Sequence, residues 1–239
     1  MPLQFDELNS LIGNDDKRDI DIDEYFDEMD LSEQDREVRK EFTRLFEDEL
    51  FTALALLFLF LQYGTETGIE TTKLTVERSL LNAINRYTQA NSELTEFASQ
   101  FSENFVDVTV RNAEASGLFD GAEQKDEKLL RKVAYFFSHV RARLNAADTA
   151  NSVFNYENYR EAVEDGMAYK QWITMQDERV RKTHSEVDGV IIPIDELFQV
   201  GNAQMRFPHD WDMAEDFPEE LINCRCQVQY LTKEQIQLY

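Results

Sequence analysis

From residue 3 to residue 192 the chain contains no proline, and three of its four prolines, Pro193, Pro208 and Pro218, fall in the last fifty residues. Proline costs about 3 kcal/mol in a helix interior, so the proline-free stretch permits long helices. The prolines near the end call for loops, turns and sheet edges there.

The proline-free part reads as a succession of helices with stop signals. Ser32 is placed to cap a helix, with Glu33 and Asp35 in the first turn at the positive end of its dipole. Phe42, Leu45, Phe46 and Leu50 follow at helical spacing, and Gly64 is a natural stop. Further stripes run through Leu80, Leu81, Ile84 and Tyr87; Leu94, Phe97, Phe101, Phe105 and Val108, ending near Gly117; Leu129, Val133, Phe137, Val140 and Leu144; and Val153, Tyr156, Tyr159 and Val163, ending at Gly166. Aromatic stripes at this spacing are core positions of a bundle. Residues 50–61, LFTALALLFLFL, are apolar on every side, which calls for enclosure by other helices or a second subunit. Twelve residues fall well short of the roughly 20 needed to cross a bilayer, so no membrane span is expected.

After Gly166 the period changes to two. Residues 169–175 (YKQWITM), 190–194 (VIIPI) and 224–231 (CRCQVQYL) are strand candidates. In the last of these Cys224, Cys226, Val228 and Tyr230 share one face, with Arg225 on the outward face. The expected fold class is therefore α+β. A mainly helical, bundle-like region over residues 32–166 precedes a small loop-rich module with a short antiparallel sheet over residues 167–239. Residues 1–31 are expected to form an acidic, poorly ordered arm that adds little to stability.

Charge narrows the function. The chain has 48 Asp and Glu against 24 Lys and Arg, a net charge of −24. Eighteen of the acids and only six of the bases lie in residues 1–50. A field of this sign repels nucleic acid and anionic membranes, which argues against a general nucleic-acid-binding protein. A hydrophobic fraction of 42% rules out wholesale disorder. The acidic N-terminus lacks the basic and apolar segments of a secretory leader, and two cysteines are too few for a disulfide scaffold, so a cytoplasmic origin is expected.

The residues that carry chemistry gather near the end of the chain. Cys224 and Cys226, with His184 and His209, supply four donors of the kind zinc takes, although their spacing matches no zinc signature. Two buried thiols in an apolar face are the plainer reading. A disulfide between Cys224 and Cys226 is disfavoured, because same-face strand neighbours have poor bridge geometry. Asp177, His184, Ser185 and Asp188 offer an acid–base or nucleophilic set, but proximity in sequence does not make a triad. Walker-type, G-x-G-x-x-G, H-E-x-x-H and G-x-S-x-G motifs are absent from the sequence.

One combination is specific. Trp172 is followed by Asp177, Arg179, Arg181 and His184 as D-x-R-x-R-x-x-H, then by Asp188-Gly189 and Pro193, and finally by Asn223-Cys224-Arg225-Cys226. Together with the helix Asn151 to Gly166, this resembles the phage Mu F-like minor head protein family, also called phage head morphogenesis proteins, over roughly residues 147–231. The resemblance implies a virion protein, not an enzyme, that needs no cofactor. It would associate with the portal protein and other head proteins, in the head interior or at the portal vertex, and act in head assembly, with a role in packaging or ejection. It also implies that the motif residues hold a loop-rich module together. The competing reading is a small metal-dependent hydrolase or nuclease that uses His184, Asp188 and the Cys224/Cys226 pair.

Overall fold

The computed structural model describes residues 4–12, 16–119 and 126–236. The parts of the expected arm at residues 1–3 and 13–15, and the end of the expected module at 237–239, lie outside the described residues. In chain order the helices are α1 (Phe5–Asn9), α2 (Ile22–Asp27), α3 (Glu33–Tyr63), α4 (Glu66–Tyr87), α5 (Ser92–Ala115), α6 (Glu127–Phe136) and α7 (His139–Glu164). They are followed by β1 (Tyr169–Ile173), α8 (Lys182–Ser185), β2 (Ile191–Pro193), β3 (Phe198–Val200), β4 (Ala203–Met205), α9 (Pro218–Leu221), β5 (Gln227–Leu231) and α10 (Lys233–Ile236). The class is α+β, with long helices first and short antiparallel strands after Gly166.

The helix ends follow from local chemistry. Ser32 Oγ accepts from the Asp35 amide at 3.1 Å and caps α3. Gly64 ends α3 in a left-handed conformation, φ +69°, that a glycine adopts without strain. Asn91 Oδ1 caps α5 by accepting from the Leu94 amide at 2.9 Å. Two of the expected stripes are divided differently from the expectation. The chain breaks at Phe137 and Ser138, where Ser138 Oγ accepts from the Arg141 amide at 3.2 Å and starts α7. From there α7 runs unbroken to Glu164, because no glycine or proline interrupts residues 139–164.

The chain forms two compact units that do not follow the expected boundaries at residues 31 and 166. The first takes Met1–Ile22 and Glu41–Ala146, and the second Asp23–Lys40 and Ala147–Tyr239.

In the first unit Phe42, Phe46, Leu50, Leu54, Leu57 and Phe58 of α3 are buried, as are Leu80 and Ile84 of α4 and Phe105 and Val106 of α5. The apolar run 50–61 is enclosed on one side only, since Leu56 and Leu59 are exposed. No helix of the described residues is long and apolar enough to cross a membrane. Gly68 of α4 lies so close to Phe60 that a Cβ there would come within 2.2 Å of the ring. Arg141 is buried and hydrogen-bonded: Nη1 donates to Thr109 Oγ1 at 2.6 Å and Nη2 to the Phe105 carbonyl at 2.9 Å.

The expectation of a poorly ordered arm over residues 1–31 is corrected for its described residues. In the first unit Leu8 of α1 is buried and Phe5 packs on Phe51 and Phe58, with ring centroids 5.4 and 5.5 Å apart. In the second unit Tyr25, Phe26 and Met29 are buried. The physical reason lies in the spacing. Ile22, Tyr25 and Phe26 fall at i, i+3 and i+4 on α2, with Met29 just past its end, an apolar pattern that a count of acids does not register.

The second unit holds a three-stranded antiparallel sheet in the order β2-β1-β5, with Tyr169 opposite both Pro193 and Leu231 and Trp172 opposite Val228. A separate hairpin joins β3 and β4, pairing Val200 with Ala203 around Gly201-Asn202. Gly201 has φ +58°, as a two-residue hairpin turn requires. Trp172, Phe198, Val200, Met205, Cys224 and Cys226 belong to one buried core. Beside it, α7 carries a polar network. Arg39, fully buried, donates from Nη1 to Asn151 Oδ1 at 2.8 Å and from Nη2 to Asn155 Oδ1 at 2.9 Å. Asn151 Nδ2 in turn donates to Tyr25 Oη at 3.2 Å, and Asn155 Nδ2 to the Pro208 carbonyl at 3.1 Å.

Candidate functional site

Beyond β1 the chain turns through Asp177, whose Oδ1 accepts from the Arg179 amide at 2.9 Å. Short acidic side chains favour such turns because they bond their own backbone two residues on. Asp177 Oδ2 also accepts from Arg225 Nη2, and from Arg179 Nε at 3.3 Å. Glu28 Oε2 completes the cluster, taking Arg179 Nη2 at 2.7 Å and Arg225 Nη1 at 3.1 Å. Two carboxylates thus bridge two guanidiniums. Burial would raise the Asp177 pKa, but the hydrogen bonds and charges of Arg225 and Arg179 outweigh it and hold the carboxyl below its ordinary value.

Arg225 is therefore not outward-facing, as strict alternation from residue 224 predicts. It is 8% exposed. The strand begins only at Gln227, and Asn223, at φ +57°, turns the chain before it. The Asn223 amide donates to Asp148 Oδ1 at 2.9 Å. Burial pushes the Asp148 carboxyl up to about 7, against the opposing pull of that amide and of Arg181. Arg181 Nη2 donates to the Ile222 carbonyl, so the motif's second arginine also ties a loop. Asp188 spends both carboxylate oxygens nearby, accepting from the Thr174 amide at 2.8 Å and from Gln176 Nε2 at 3.1 Å. Gly189, at φ +75°, donates its amide to the Trp172 carbonyl at 2.8 Å.

His184, Cys224 and Cys226 come together in the core. His184 Nδ1 lies 3.3 Å from Cys226 Sγ and 3.5 Å from Cys224 Sγ, and one ligand atom from each of the three residues falls within 4.8 Å of the others. Both cysteines are free thiols, and both are buried. The Cys226 amide donates to Cys224 Sγ at 3.4 Å. On the other side of the imidazole, Nε2 lies 3.1 Å from Glu220 Oε2, which also accepts from Thr183 Oγ1 at 2.8 Å. Burial pushes the Cys224 thiol up to about 11. For His184 burial acts to lower the pKa, but its hydrogen bond with Cys224 outweighs that and the net shift is upward.

The fourth donor suggested by the sequence, His209, stands outside this trio. Its Nε2 lies 2.5 Å from the Cys224 carbonyl oxygen, and its Nδ1 is 3.6 Å from Asp148. Asp188 is engaged with Thr174 and Gln176, so it is not paired with His184 as an acid–base set would require. The sequence reading missed Glu28, Arg39, Asp148 and Glu220. Each works through a partner more than thirty residues away, and none belongs to a recognisable local pattern.

A family model described as Phage Mu protein F like protein matches residues 108–229. An NAD(+)–arginine ADP-ribosyltransferase EFV of Enterococcus faecalis is 27% identical over 154 residues, 62% of this chain and 29% of that protein. An uncharacterized protein of Methanocaldococcus jannaschii, MJ0329, is 32% identical over 93 residues, 39% of this chain and 14% of that protein. The chain thus spans less than a third of the length of either relative. No solved structure matches. The family match takes in half of the chain and every residue from Trp172 to Cys226 described above, and the chain belongs to the Phage Mu protein F like family.

Proposed function

We propose that this chain is a minor head protein of a tailed phage or prophage, acting in head morphogenesis and held at the portal vertex by protein contacts. The observation that carries this reading is the coincidence of the family match with the motif residues, all within 108–229. The way the motif is spent agrees with it. Asp177, Arg179, Arg181, Asp188, Asn223 and Arg225 each bond another part of the same unit. The cavity that touches His184 and both thiols has a volume of about 20 Å³, far below the several hundred Å³ of a small-molecule substrate site. On this reading the chain has no turnover, and the activity in the name of the E. faecalis relative belongs to that protein, of which the shared stretch is 29%.

The net charge of −24 supports protein contacts over contacts with packaged DNA. A portal ring with a basic face is the partner whose charge complements this chain. Leu56, Leu59 and Tyr63 on α3, all exposed, offer apolar area to such a contact. The reading also places the protein in the virion and, during assembly, in the host cytoplasm. The test is co-expression with the portal protein of the same phage, followed by size exclusion. The chain is expected to co-elute at low salt and to associate more slowly as salt rises, because exposed charges are screened beyond about 8 Å at physiological ionic strength. Failure to co-elute at any salt would count against portal attachment.

A further inference from the structure

We propose that His184, Cys224 and Cys226 bind one zinc-type divalent metal ion, with a water-sized fourth ligand completing the shell. This site goes beyond the head-protein reading and does not depend on it. The separations are those of ligands on one ion: with Zn–S about 2.3 Å and Zn–N about 2.0 Å, two donors on a tetrahedral zinc stand about 3.5 Å apart. His184 Nδ1 stands 3.3 and 3.5 Å from the two sulfurs.

Two sulfurs face a single ring nitrogen, an arrangement that suits a shared cation. A neutral imidazole with its proton on Nε2 has a single lone pair at Nδ1, and two thiols crowd that one acceptor. A cation in the middle satisfies all three donors at once. Glu220 holds the opposite ring nitrogen at 3.1 Å, and Thr183 holds Glu220 at 2.8 Å. This is the carboxylate–histidine support that fixes the tautomer and orientation of a metal-bound imidazole. The Cys226 amide aimed at Cys224 Sγ favours a thiolate there.

The fourth position is also present. The cavity of about 20 Å³ is lined by His184, Cys224 and Cys226 together with Arg179, Arg181 and Arg225, and a cavity needs roughly 10–15 Å³ to hold one water. Two sulfurs and an imidazole select a soft or borderline ion over calcium or magnesium, which take oxygen ligands. An ion with two thiolates and a neutral histidine carries no net charge, which suits burial in this core. Its effect would be structural, linking α8 to the segment that enters β5.

The experiment is a titration of the chelator-stripped, full-length chain with Co²⁺ alone, followed by displacement with Zn²⁺. The expected result is one equivalent of cobalt with thiolate-to-metal absorption in the near ultraviolet and tetrahedral bands in the visible, lost on adding zinc. Glu220→Gln keeps all three ligands and is expected to weaken cobalt binding about 10- to 100-fold. His184→Ala is expected to abolish the tetrahedral bands. The proposal is overturned if the wild-type chain takes up no stoichiometric cobalt, or if His184→Ala gives the wild-type spectrum. The wild-type titration decides the matter even where a variant fails to fold.

Discussion

The guanidinium of Arg39 donates to Asn151 Oδ1 at 2.8 Å, with both side chains fully excluded from solvent. Burial lowers the Arg39 pKa to about 10, which still leaves the group charged at neutral pH. Its charge is therefore carried by the amide oxygens of Asn151 and Asn155. Both asparagines lie in the helix that resembles the family, and their role here is to receive a buried cation. Removing one partner of a buried charge costs about 3–5 kcal/mol. Asn151→Leu is expected to destabilise by that amount in urea unfolding, and a change below about 1 kcal/mol would show that Arg39 is satisfied without it.

The segment before α3 is docked, so truncation is expected to be costly. Phe26 is fully buried, and Phe26→Ala should destabilise by about 3–5 kcal/mol. The acidic neighbours Asp23 and Glu24 are on the same helix, and their replacement by Asn and Gln should have a much smaller effect. Thermal melts of the two variants distinguish apolar docking from charge. Equal losses would contradict the account.

The helices were legible because their signals are local. Ser32, Gly64, Gly117 and Gly166 mark ends wherever they occur, and the apolar stripes have the period of a helix. The β3–β4 hairpin was missed, although Gly201-Asn202 between Phe198, Val200 and Ala203, Met205 is a hairpin pattern. Strict alternation from Cys224 turns Arg225 outward, whereas the turn at Asn223 delays the strand to Gln227. Of the trio His184, Cys224 and Cys226, the sequence gives the donor types. It does not show that Glu220 backs the imidazole, because that contact spans 36 residues and depends on the tertiary fold.

Asp148 makes stability depend on pH with a definite sign. Its carboxyl is raised to about 7 in the folded chain from an ordinary value of 3.8, so folding favours the protonated form. The stabilisation is fully present below about pH 4 and is lost as pH rises toward 7. Asp148→Asn removes the charge and keeps an oxygen to accept the Asn223 amide. Between pH 5 and pH 8 the wild type is expected to lose on the order of 2 kcal/mol more than the variant. Urea unfolding at the two pH values measures the difference, and equal losses in the two proteins would refute the assignment.

The central claim, that this chain is a component of phage heads, is tested most directly by quantitative mass spectrometry of gradient-purified heads from a producing strain. The account predicts that the chain sediments with heads and stays with them through the gradient. Its absence from heads, with all of it free in the lysate, would contradict the account.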